Sequence, residues 1–205
     1  MKRHPERGAY DRATIDAILD EALICHLGFV VRGQPFVIPT IHARDGDVLY
    51  IHGSPGSRML RNAKEGVDLC VTVTLLDGLV LARSVYNHSM NYRSAVVLGR
   101  AREVTDREEK LRAMHRVVDH VVPGRWADAR QPSDGEIKGT TILAMSLDEA
   151  SAKIRTGPPT DDEADLELPV WAGVIPLTLE ASRPIPDDGV TDSPPGYAVD
   201  YTRRA

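Results

Sequence analysis

Residues 50–64, YIHGSPGSRMLRNAK, gather the residue types that hold a phosphate. A short apolar strand ends at Ile51 and His52, runs into a turn of Gly, Ser and Pro, and continues as a helix that opens on Ser57 and Arg58. Backbone N–H groups, the hydroxyls of Ser54 and Ser57 and the Arg58 guanidinium would converge at that helix N-terminus, where an anion meets the positive end of the helix dipole. The same residues also describe an ordinary Ser N-cap, worth about 1 kcal/mol, with Arg58 in solvent. Spacing alone leaves both readings standing.

Three further stretches could contribute to a ligand site. In residues 36–42, FVIPTIH, Pro39 interrupts a strong strand and removes one ladder donor, which frees backbone groups for a planar heterocycle; Thr40 adds a hydroxyl. An edge strand or a bulge would carry the same sequence. Residues 87–94, NHSMNYRS, are a polar cluster entering a strand, suited to lie against a ligand or to form a hairpin tip. Trp171 in PVWAG could cover an aromatic ring or anchor a core or interface. Metal ligation is not expected: His42, His52 and His88 show no HxH or HxxxH spacing, and Cys25 and His26 alternate across a strand. With no GxSxG, and no GxGxxG or P-loop, hydrolase and nucleotide-fold signatures are absent too. His115 and His120 are expected in solvent.

The elements that must position these groups are mostly strands. A helix from Thr14 to Ala22, capped by Asp11 or Thr14, presents Ile15, Ile18, Leu19 and Ala22 on one stripe. After it come LICHLGFVVR, PFVIPTIHAR and DVLYIH, separated by tight turns as in a β-meander. VDLCVTVTLLD follows the phosphate-type turn, and Asp77-Gly78 reads as a hairpin turn into LVLARS. NYRSAVVLGRAREV reads as one long strand. Thr105 and Glu108 form a capping box for a helix that Pro123-Gly124 ends, residues 124–138 read mostly as loop, and TTILAMSL, SAKIRTG and PVWAGVIPLTLEA supply the last strands. Antiparallel neighbours with inserted helices predict an α+β fold with a meandering or Greek-key barrel. Residues 1–182 are expected as one domain and 183–205 as an extended or disordered tail.

A net charge of −5 argues against nucleic acid, which requires a concentrated positive face. No apolar run approaches the roughly 18–20 residues of a bilayer span, and MKRHPERGAYDR lacks a signal-peptide core, so a soluble, cytoplasmic protein is expected with no membrane partner. Two cysteines, Cys25 and Cys70, both in apolar strands, read as buried free thiols.

In their order and spacing these pieces resemble, over residues 11–180, the FMN-binding split-barrel family that includes pyridoxamine 5'-phosphate oxidase. They are closer still to its flavin-binding relatives of the nitroimidazole-resistance type. The resemblance implies an antiparallel split β-barrel with peripheral helices, binding FMN in a homodimer with the flavin at the subunit interface. It maps Ile38, Pro39, Thr40 and Ile41 onto the strand along the isoalloxazine, and Ile51, His52, Ser54, Ser57 and Arg58 onto the phosphate turn. Met59 stands where the family often has Lys, with Arg61 or Lys64 to compensate. Ser94 matches a polar ring contact, and Trp171 matches a Trp that the second subunit lays near the flavin. No His follows His120, whereas the oxidases carry a terminal Arg and His segment that grips the substrate phosphate, so pyridoxamine 5'-phosphate is not the expected substrate. The implied activity is FMN-dependent hydride or electron transfer to a small organic molecule, with His52 and His88 the nearby groups able to titrate near neutrality. The alternative is a non-catalytic flavin- or haem-binding protein that stores or senses its ligand, and a deazaflavin could stand in for FMN.

Overall fold

The structure, a computed structural model, describes residues 5–54, 56 and 66–202. Ser57, Arg58, Met59, Arg61 and Lys64 therefore lie outside the described residues. Ten antiparallel strands and five α-helices appear among the described ones, an α+β split barrel that does not close. The strands are β1 (Gly8–Ala9), β2 (Ile24–Val31), β3 (Gln34–Asp45), β4 (Val48–Gly53), β5 (Leu69–Leu81), β6 (Ser89–Gly99), β7 (Ala101–Glu103), β8 (Thr141–Ser146), β9 (Ala150–Arg155) and β10 (Gly173–Pro176). They run in the order β1-β9-β6-β5-β2-β3-β4-β8-β7, and β10 adds to β5.

Helix α1 (Arg12–Glu21) starts where the Asp11 carboxylate accepts the Thr14 N–H, and it lays Ile15, Ile18 and Leu19 into the core. There they meet Leu27, Leu49, Ile51, Val71 and Val97, the inward-pointing members of the alternating strands. Helix α2 (Arg107–Val121) covers the other side of β4 and β8, packing Ala113 and Met114 against Tyr50, Ile142 and Ala144. Its N-cap is Asp106, whose carboxylate accepts the Glu109 N–H at 2.8 Å, so the expected Thr105–Glu108 box lies one residue early. Two short helices, α3 (Arg125–Asp128) and α4 (Asp134–Lys138), occupy the stretch that read as loop.

Asp77-Gly78 makes a bulge, not a turn. β5 continues through it to Leu81 against β6, with the register shifting between Leu76 and Gly78. The Arg93 guanidinium fixes the bulge by donating to both Asp77 oxygens, at 2.7 and 3.0 Å, while also holding Glu21 of α1. Gly78 lets β10 approach closely: a Cβ there would crowd the Ile175 carbonyl oxygen and the Val174 side chain, each at 3.0 Å. The expected long strand from Asn91 to Val104 is divided between β6 and β7. After Arg183 the described residues form no helix or strand until α5 (Gly196–Val199), and beyond it the Tyr201 hydroxyl donates to the Val121 carbonyl at 2.8 Å.

Candidate functional site

The site is built where β3 and β4 part. Along His42 to Asp45 β3 pairs with β4, but along Gln34 to Ile41 it pairs only with β2. The last residues of β4, His52 and Gly53, pair instead with Ile142 and Thr141 of β8. Among the described residues no strand adds to the second edge of β3 from Gln34 to Ile41, so Ile38, Pro39, Thr40 and Ile41 border an open crevice. Their side chains alternate: Ile38 packs toward the core opposite Leu27, while Pro39 and Ile41 point to the opposite face beside His26 and Ile24. What the four residues share is a backbone edge, and edge N–H and C=O groups can address the rim of a planar heterocycle.

β4 delivers the other wall. Ile51 is spent in the core, 1% exposed, with its backbone paired to His42 on one side and Leu143 on the other. His52 is half-buried, its Nδ1 is buried with no hydrogen-bond partner, and burial holds the imidazole below its ordinary pKa, so it is neutral at pH 7. At the following turn the Ser54 hydroxyl accepts the Gly56 N–H at 3.3 Å.

The other two sequence candidates are not brought to this crevice within one chain. Two strands, β5 and β2, lie between Ser94 on β6 and β3, which sets them about 14 Å apart. The Ser94 hydroxyl donates to the Lys153 carbonyl at 3.3 Å. Trp171 precedes Gly173, which pairs with Leu81 at the far end of β5, whereas Ile38 sits in the row of Leu27 and Val71, on the order of 30 Å along the sheet. The indole is 65% exposed and lies over Gly173, where a Cβ would come within 2.8 Å of the ring. It is a fixed aromatic platform facing outward. His88 is exposed, with Nδ1 2.9 Å from the Ser84 carbonyl.

Between these parts spreads an apolar face. Ile24, Val30, Val37 and Leu98 share the outward side of β2, β3 and β6 and are 54, 54, 66 and 48% exposed. His26 projects from the same face opposite Pro39 and Thr72. Cys25 points inward and is fully buried, its thiol pushed up to about 12 by burial; Cys70 is half-buried, and both are free. No group of three or more His, Cys, Asp or Glu gathers to hold a metal among the described residues. His120, expected in solvent, is half-buried beside His42 with Nε2 2.8 Å from the Ala22 carbonyl. None of the described helices is long and apolar enough to cross a membrane.

Sequence reasoning missed a second feature beside His52. A cavity of about 400 Å³ opens between His52, Val118 of α2, Trp126 of α3 and Gln131. Its signal was present as the capping box of Ser133 and Glu136, which marks a helix in the stretch read as loop.

Residues 11–154 match the pyridoxamine 5'-phosphate oxidase family. The chain belongs to it. Within the same family-like fold it is similar to the flavocytochrome Anf3 from Azotobacter vinelandii, with 42% identity over 97% of this chain and 93% of that one, at a TM-score of 0.90. It is similar also to the FAD and heme binding protein from Mycobacterium smegmatis, at 35% identity, 92% and 94% coverage and a TM-score of 0.88. A candidate 5-nitroimidazole antibiotic resistance protein from Bacteroides thetaiotaomicron is 25% identical over 72% of this chain and 86% of that one, with a TM-score of 0.59. No curated protein matches. The oxidase-family chain thus shares nearly its whole length with the first two structures.

Proposed function

We propose that the chain is a flavin-dependent oxidoreductase, acting in the cytoplasm as a homodimer whose two flavin sites lie at the subunit interface. The observation that carries this reading is the parting of β3 and β4: among the described residues no strand adds to the second edge of β3 at Ile38 to Ile41, beside the end of β4 at His52 and Gly53. The edge addresses the rim of the isoalloxazine, the common part of FMN and FAD, and the turn after β4 addresses its first phosphate. When bound, the flavin supplies hydride or electron transfer. The chain orients it, excludes water from one face and keeps His52 neutral beside it.

Two distances support a second copy. Ser94 and Trp171 cannot reach the Ile38–Ile41 edge of their own chain, but each is presented outward, and the apolar face around Ile24, Val30, Val37 and Leu98 is suited to a partner that would bring them across. The relatives that cover almost the whole chain are flavin or flavin and haem proteins by name, which supports the flavin reading.

A haem beside the flavin is a second reading, favoured by one feature of this face. His26 is an exposed imidazole on the apolar sheet surface, an environment in which a neutral ring nitrogen can ligate iron. Purified protein is expected to be yellow and to bleach under anaerobic NADPH, with recovery on adding a small organic acceptor such as a nitroaromatic. A protein that binds flavin but turns over no donor or acceptor would be a storage or sensing module. A Soret band lost in His26→Ala would add the haem.

A further inference from the structure

Three partly buried arginines of the barrel are each held by a carboxylate: Arg44 by Asp16 and Asp20, Arg83 by Asp161, and Arg93 by Glu21 and Asp77. Arg155, the last residue of β9, is buried at 8% exposure and has no such partner among the described residues. Its guanidinium donates to the Asn91 side-chain oxygen and, at 3.3 Å, to the Pro158 carbonyl, both uncharged acceptors. Burial, and then the positive charge of Arg7 nearby, hold its pKa below the ordinary guanidinium value. A charge taken from water without a counter-charge is costly, because neutral dipoles replace only part of its hydration.

A second cation stands beside it. Strand residues alternate, so Lys153 shares a face with Arg155, about 7 Å along β9. Strand pairing builds the rest of that face: Thr74, Ser94 and Lys153 make one cross-strand row, and Leu76, Tyr92 and Arg155 make the next. Neighbours within a row are about 5 Å apart. The Lys153 ammonium sits over the Tyr92 ring, 5.9 Å from its centroid, half-buried and with no carboxylate in contact among the described residues. Tyr92 and the exposed Leu76 give the corner an apolar floor, and Thr74 borders it with a hydroxyl. Glu6, 3.7 Å from Arg7, offsets one charge of the three and leaves this corner of a chain with net charge −5 locally positive.

We propose that this corner of the sheet binds a small organic anion, its carboxylate or phosphate held by Lys153 and its flat apolar body laid on Tyr92 and Leu76. Lys153 makes the direct contact, a charge-assisted hydrogen bond. Arg155, beneath the Pro158 carbonyl, and Arg7 supply positive potential from behind, where burial leaves it little screened. The proposal does not rest on the flavin reading: β6, β5 and β2 lie between β9 and the β3 edge.

Binding is measured by isothermal titration of the purified full chain with benzoate, phenyl phosphate, inorganic phosphate and the uncharged benzamide, without and with saturating FMN. At least one of the two aromatic anions is expected to bind about tenfold or more tightly than benzamide, the scale of one charged hydrogen bond, and the tighter of them names the anionic group. Lys153→Gln should remove that preference and Lys153→Arg restore most of it, the rescue serving as the control for folding. Arg130→Gln, which deletes an exposed cation elsewhere, should leave it within twofold. Equal affinities for the anions and benzamide, or a loss in Arg130→Gln equal to that in Lys153→Gln, overturn the site. Displacement of the anions by FMN also overturns it, assigns the corner to the flavin and leaves the flavin reading intact. Inorganic phosphate bound as tightly as phenyl phosphate overturns the Tyr92 floor. Absence of anion binding together with a shift of Lys153→Gln toward monomer in sedimentation overturns the site in favour of an ion pair with a carboxylate of a second copy.

Discussion

The two faces of the same strands have opposite fates. On β2, Cys25, Leu27 and Phe29 point inward and are 0, 0 and 4% exposed, whereas Ile24 and Val30, each a residue away, are 54% exposed on the outer side. Both sets are apolar. The inner set is closed over by α1 and by the curl of the sheet, and the outer set has no covering element among the described residues. Alternation of hydrophobic with polar residues would have marked a solvated face. Here only His26 and Thr72 supply that polarity around Ile24, Val30, Val37 and Leu98, an exposed apolar patch of the kind suited to an apolar partner, and Pro39 and Ile41 on β3 and Ser94 on β6 fall along its margin.

If the difference between the faces is one of function, substitutions on each should fail in different ways. The largest effect belongs to the inner face: Leu27→Ala, at a fully buried position, should lower unfolding free energy by about 3 kcal/mol in urea denaturation. Val37→Asp on the outer face should leave the single chain within about 0.5 kcal/mol of wild type yet weaken self-association by about 2 kcal/mol or more, read by sedimentation as a shift toward monomer. Loss of stability comparable to Leu27→Ala would mean that the outer face is covered within the chain. Arg58→Ala should weaken flavin binding by about 1–3 kcal/mol, the value of a charged hydrogen bond, with no change in association. An unchanged flavin dissociation constant would remove Arg58 from the site.

The smallest effect is the dependence on pH. Burial lowers the His52 pKa in the folded chain below the value of about 6.5 it takes when unfolded, so between the two values the unfolded chain binds more protons and stability rises with pH. The His52 contribution is thus fully present above about pH 6.5 and is lost as pH falls from there through the lowered folded-state value. His52→Gln should flatten that part of the stability profile, which chemical denaturation across pH 5 to 8 would resolve; a steepened slope would contradict the assignment.

Much of the fold was legible because it is local. Apolar β-rich runs located β2, β3, β4 and β8, and Asp11, one of the two caps the sequence offered, starts α1. Asp77-Gly78 misled because Asp-Gly is a strong hairpin signal, yet Gly78 is there to let β10 approach closely and Asp77 is held by Arg93. The α2 cap moved by one residue because Asp106 competes with Thr105 and caps at least as well. Trp126 and its cavity stayed hidden because short helices such as α3 and α4 have too few turns to show periodicity. The family resemblance assigned Trp171 to the second subunit's side of the site, and the register of β5 sets it far from Ile38 within a chain.

That separation makes the central claim measurable: the flavin site is completed by a second copy. Sedimentation velocity of the purified protein, followed at 280 nm for the chain and near 450 nm for flavin, tests it directly, with Val37→Asp run alongside. The account predicts yellow absorbance moving only with a species of twice the 22.5 kDa chain mass, and a Val37→Asp monomer that has lost it. Yellow absorbance carried by the 22.5 kDa monomer at undiminished affinity would contradict it.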